Sequence, residues 1–142
     1  MCEADAARRF LLSVDVDVRW GDMDALAHVN NAAYFVYFEQ ARMAWTDSLE
    51  PSGVATGTGP ILATTSATFL RPVTYPASLV VRLSFGAAGR SSIRHYYEVV
   101  DRHDLSIVCA LGEAVVVWID QASGKSVPLP DAVRAQAAPT AN

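Results

Sequence analysis

One long helical pattern, from Asn31 to about Leu49, stands in a chain whose other regular segments all carry strand periodicity. Ala33, Tyr34, Phe35, Val36, Tyr37, Phe38, Ala41, Met43, Ala44 and Trp45 leave that helix only a narrow polar edge. A helix that is apolar nearly all round needs packing partners around most of its circumference. Asn30 or Asn31 is expected to cap it. Pro51-Ser-Gly53 and Gly57-Thr-Gly59-Pro60 end it and form a loose connection.

The partners have to be strands. Ahead of the helix, Leu12, Val14, Val16 and Val18 alternate with Ser13, Asp15, Asp17 and Arg19, and Gly21–Asn30 then reads as a loop. Behind it, Ile61–Leu70 is the next strand, closed by Arg71-Pro72 and Tyr75-Pro76. Leu79, Val81, Leu83 and Phe85 alternate in a third, Ser92–Val100 makes a fourth and Leu105–Ile119 a fifth. Turns fall at Gly86–Gly89, Asp101–Asp104 and Gln121–Gly124, and the tail after Pro128 and Pro130 reads as irregular or weakly helical. The Val115–Ile119 end is apolar on both faces, which predicts a central strand. The economical solution is an α+β domain over residues 1–142, with its core at about 12–120. In it a long antiparallel five-stranded sheet wraps around one central helix. One helix cannot cover the outer face of that sheet as well, so a second subunit is expected there, most simply across a two-fold axis.

Composition excludes several function classes. The net charge of −4, with no Lys/Arg cluster, gives no reason to expect a nucleic-acid partner. The apolar helix is interrupted by Glu39, Arg42 and Asp47, so no membrane span is expected. Cys2 at the start and Cys109 in an apolar strand read as reduced thiols, pointing to a cytoplasmic home. Glu3, Asp5, Arg8 and Arg9 precede only a short apolar run at Phe10–Leu12, so no secretory signal is expected.

The chemistry-bearing residues gather before the helix: Asp22, Asp24, His28, Asn30 and Asn31. The free N–H groups and positive dipole of a helix start can hold an anion or a developing oxyanion. A carboxylate beside such a terminus suits acyl transfer, as nucleophile or as base toward water. The plain alternative is that these Asp residues cap turns and the Asn residues cap the helix.

The run Asp22-Met-Asp24-Ala-Leu-Ala-His28-Val-Asn30-Asn31, followed by Tyr34 and Glu39-Gln-Ala-Arg42, resembles the hot-dog-fold acyl-CoA thioesterases of the 4-hydroxybenzoyl-CoA thioesterase type. Phe69-Leu-Arg71-Pro72 and Gly89-Arg90-Ser91-Ser92 are also similar to that family, and the resemblance spans roughly Val14 to Ile119. It implies a hot-dog homodimer or homotetramer that hydrolyses the thioester of an acyl-CoA, at a site on the dimer interface near the amino end of the helix. It further implies that Asp24 attacks the thioester or activates water, that Asp22 is structural, and that the Asn31 N–H is the oxyanion donor. CoA would enter as part of the substrate, with no separate cofactor. One departure stands at Ala27, where many members carry Gly; a positive φ there would strain an alanine.

The remaining candidates keep more than one reading each. His28 orients the acyl carbonyl or a water, or is a structural donor. Tyr34 lines the acyl pocket, hydrogen-bonds near the carboxylate, or packs in the core. Arg71, Arg82, Arg90 and Arg94 are candidate cations for the CoA phosphates, with Ser91 and Ser92 beside Arg90 in the family's phosphate-side segment; each is otherwise a solvated strand-edge residue. Glu39 with Arg42 and Glu113 with Arg94 read as ion pairs, and His95 and His103 fit no pattern. Asp22, Asp24 and His28 lack a fourth ligand, so no metal is expected. Two other functions compete: a non-catalytic acyl-CoA-binding hot-dog module, and a hot-dog hydratase or dehydratase.

Overall fold

The computed structural model describes residues 7–49 and 57–139. Its strands are β1 (Arg9–Asp17), β2 (Thr58–Phe69), β3 (Ser78–Ala88), β4 (Ser92–Asp101) and β5 (Val108–Asp120), with α1 (Asn31–Asp47) after β1 and a one-turn α2 (Asp131–Arg134) near the end. All pairings are antiparallel, in the order β1-β3-β4-β5-β2. This is the α+β hot-dog arrangement expected from the sequence.

Alternation decides which face meets α1. Leu79, Val81, Leu83 and Phe85 of β3 lie against Tyr97 and Val99 of β4 and Ala110, Ala114, Val116 and Trp118 of β5, forming one buried cluster with Tyr34, Tyr37, Phe38, Ala41 and Trp45 of α1. The helix comes close enough that a Cβ on Gly112 would meet the Phe38 ring at 2.5 Å, and glycine is what permits that approach. The opposite face is half-exposed and carries the Arg82–Glu98 pair at 2.9 Å and the expected Arg94–Glu113 pair at 3.7 Å.

Several boundaries differ from the sequence reading. β5 starts at Val108, not Leu105, because Asp101 and Asp104 accept backbone N–H bonds from His103, Asp104 and Ser106 and hold a turn there. β5 is internal but stands next to the edge; β4 is the middle strand. β2 begins at Thr58 and includes Pro60, which an edge strand tolerates because one row of its N–H groups is unpaired. The helix is not covered all round: Phe35, Val36 and Met43 stay exposed, since the sheet curls around one side of α1. The tail is more than irregular. Leu129, Val133 and Ala138 are buried, and Gln136 accepts the Trp45 indole N–H at 2.8 Å. The Pro51–Gly53 break and Cys2 lie outside the described residues. Cys109 is a buried free thiol, and among the described residues no helix is long and apolar enough to cross a membrane.

Candidate active site

The loop before α1 is built around Asp22. Its backbone carbonyl accepts the Asn30 N–H at 2.9 Å, and its side chain accepts the Arg19 N–H at 2.9 Å, the Arg19 guanidinium at 3.1 Å and the Tyr37 hydroxyl at 2.9 Å. Asp22 is only 7% exposed. Burial alone would raise its pKa, but the hydrogen bonds from Arg19 and Tyr37 outweigh that and hold it below its ordinary value. Burial, together with the same contact, pushes the Tyr37 hydroxyl up. A second tie comes from the β2–β3 connection: the Val29 N–H donates to the Val73 carbonyl at 2.8 Å.

Asp24 occupies a tight turn inside that loop. Its N–H donates to the His28 carbonyl at 2.9 Å, its carbonyl accepts from Ala27 at 3.1 Å, and its Oδ1 accepts the Leu26 N–H at 2.8 Å. Oδ2 has no protein partner among the described residues. Closing this turn takes a left-handed residue. Ala27, at φ +61°, is the one positive-φ non-glycine residue among those described. The strain expected from the sequence is therefore present. Ala27→Gly should raise stability by about 1 kcal/mol, read as a higher denaturation midpoint; an unchanged or lower midpoint would show that the loop carries no such strain.

At the helix start, Asn30 is the cap. Its Oδ1 accepts the Ala32 N–H at 2.9 Å and its carbonyl accepts the Ala33 N–H at 2.9 Å. The Asn31 N–H has no acceptor among the described residues. One donor at the positive end of α1 is thus unused.

Asp24, His28, Asn31, Tyr34 and Arg71 share a cavity of about 320 Å³, walled by Leu26, Val29, Phe69, Leu70 and Pro72. Arg71 is placed by its N–H bond to the Cys109 carbonyl at 3.1 Å. His28 is exposed, while Tyr34 is 3% exposed, with its ring against Tyr37 and Phe69. The apolar walls do not read as part of the site in the sequence, because Leu26 in a loop and Phe69 and Leu70 at a strand end carry no sequence pattern that joins them. Arg90, Ser91 and Ser92 are not brought to this cavity within one chain. They form the β3–β4 turn at the other end of the sheet, where the Arg90 carbonyl accepts from Leu129 and Arg134 and the Ser91 carbonyl from Trp118. Arg82 and Arg94 lie on the outer face in their ion pairs.

Arg42 and His95 pack inside the fold. Arg42 makes the expected pair with Glu39 at 4.0 Å but is not a surface residue: its side chain is largely buried and also donates to the Tyr97 hydroxyl at 3.2 Å. That hydroxyl is 3.2 Å from His95 Nδ1, and His95 is fully buried against Phe85 and Trp45. Burial, with the nearby Arg42 charge, pushes His95 down to about 3, so it sits in the core as a neutral ring. Among the described residues, no three His, Cys, Asp or Glu side chains converge on a metal-sized site.

A family model described as the thioesterase-like superfamily matches residues 18–137. The solved structure of the PA2801 protein of Pseudomonas aeruginosa is 37% identical, with a TM-score of 0.83 over 89% of this chain and 98% of that one. A thioesterase from Thermus thermophilus, solved complexed with coenzyme A and Zn, is 33% identical, with a TM-score of 0.76 over 89% of this chain and 97% of its own. Protein YsmA of Bacillus subtilis (strain 168) is 28% identical over 116 residues, 82% of this chain and 78% of YsmA.

Proposed function

This chain belongs to the thioesterase-like superfamily, and on that premise we propose that it hydrolyses the thioester of an acyl-CoA, with Asp24 as nucleophile or general base and the Asn31 N–H as oxyanion donor. The observation that carries the reading is the sharing of one cavity by a carboxylate with a free oxygen and an unused helix-start N–H. A carbonyl oxygen docked on that N–H gains charge as the tetrahedral centre forms, and the helix end stabilises it. Water supplies the new C–O bond, either after deprotonation by Asp24 or after Asp24 itself has taken the acyl group. The C–S bond breaks and the leaving thiolate takes up a proton. His28 at the cavity mouth orients the carbonyl or the water, and Arg71 is the cation suited to a CoA phosphate.

CoA enters as substrate, and the proposal assigns no separate cofactor and a cytoplasmic home. A homodimer is part of it. The exposed Phe35, Val36 and Met43 of α1 and Ile61, Leu62 and Phe69 of the edge strand favour that side for the two-fold contact, in place of the outer face of the sheet expected from the sequence. The outer face of the sheet is then left for a tetramer contact. Arg90, Ser91 and Ser92 join the CoA site only by way of such a partner. Purified protein should release free thiol from members of a panel running from short-chain to aromatic acyl-CoAs. If none is hydrolysed, the reading is wrong.

A further inference from the structure

We propose that Tyr34 is a specificity-determining residue whose hydroxyl donates to an oxygen carried on the acyl group near the thioester, so that the site prefers hydroxy- or oxoacyl groups over plain hydrocarbon chains. The inference rests on the thioesterase reading above. Tyr34 lines the Asp24 cavity, and its side chain is almost wholly buried, yet its hydroxyl has no hydrogen-bond partner among the described residues. The hydroxyl keeps solvent access, because it is absent from the fully enclosed unpartnered atoms, which are His95 Nε2 and Arg102 Nε. Its neighbour Tyr37 donates to Asp22; Tyr34 has the ring contacts with Tyr37 and Phe69 but no such acceptor.

A phenol walled by apolar side chains is under-used unless a ligand supplies the acceptor. Burial, with Cys109 nearby, pushes Tyr34 up to about 12, so it remains a neutral donor. Position sets which oxygen it serves. Asn31 and Tyr34 are three residues apart, about 4.5 Å along the axis, and helical side chains lean back toward the amino end. With the thioester carbonyl on the Asn31 N–H, the phenol reaches substituents on the first few acyl carbons, not a distant tail. The apolar walls, Leu26, Val29, Phe69 and Leu70, offer such an oxygen nothing, and the other donors of the cavity, His28 and Arg71, are assigned above to the carbonyl or water and to a CoA phosphate.

The test compares hexanoyl-CoA with its 2-hydroxy, 3-hydroxy and 3-oxo derivatives, in wild type and in Tyr34→Phe, which keeps the ring. Wild type should favour at least one oxygenated member by roughly tenfold or more in kcat/KM, and that ratio should fall to near unity in Tyr34→Phe at an unchanged melting temperature. A wild type that shows no preference overturns the inference and leaves the thioesterase reading standing. Equal losses on all members in Tyr34→Phe also overturn it, by moving the hydroxyl to the reacting centre or the fold. No turnover on any member overturns both.

Discussion

Replacing Asp24 with Asn is expected to lower kcat for thioester hydrolysis by roughly 10²- to 10⁴-fold while leaving the unfolding midpoint near that of wild type. The two effects separate because the two oxygens do different things. Oδ1 accepts the Leu26 N–H at 2.8 Å and closes the turn, and an Asn carbonyl oxygen can do the same. Oδ2 has no protein partner among the described residues, and there the carboxylate would attack the carbonyl or take a proton from water. The amide does neither. Steady-state turnover of the best acyl-CoA, beside a thermal melt, checks the prediction. An Asp24→Asn protein that turns over like wild type would remove Asp24 from the mechanism. A loss of activity matched by a loss of structure would reduce it to a turn cap.

The opposite pattern is expected two residues earlier. Asp22→Ala should destabilise the fold by about 1–3 kcal/mol, because it leaves the buried Tyr37 hydroxyl, and the part-buried Arg19 N–H, without their acceptor. The Asn30 bond to the Asp22 carbonyl survives as backbone, but the side chain that fixes the loop against α1 is gone. Activity then falls as a consequence of a loosened site. The effect has a pH signature. Asp22 is held below its ordinary value of 3.8, so its ionised form is favoured in the folded state more than in the unfolded one. The stability it contributes is fully present above that ordinary value and is lost as pH falls through the lower, folded value. Wild type and Asp22→Ala should therefore differ most in denaturant midpoint near neutral pH and converge in strong acid. A gap that stays constant with pH would rule out the carboxylate as its source.

The paired acids show how far residue order can be read. Their spacing ahead of a helix start suits acyl chemistry, and the resemblance implies a division of roles between them. The hydrogen bonds differ between the two: three donors satisfy Asp22, whereas Asp24 keeps an oxygen with no protein partner among the described residues. Ala27 was legible in the same way, because only a left-handed residue closes the turn and alanine is costly there. Arg42 was not. An i,i+3 Glu–Arg spacing looks like a surface pair, but whether the guanidinium turns outward or toward Tyr97 depends on which side of the helix the sheet covers. His95 was equally opaque, since a lone histidine in an alternating strand carries no sign of the aromatic shell around it.

By itself, the order of residues determined the strand–helix–four-strand sequence, the antiparallel wrap and the capped helix start. Those follow from periodicities of two and 3.6 and from local cap and turn chemistry, which neighbours along the chain decide. Tertiary structure alone decided which side of α1 stays open, which walls close the Asp24 cavity and where Arg90–Ser92 ends up. Leu26 and Phe69–Pro72 are far apart in sequence and meet only because the β1–α1 loop and the end of β2 fold to the same helix end. Contacts of that kind leave no local trace in the sequence, because neither segment carries a pattern that refers to the other.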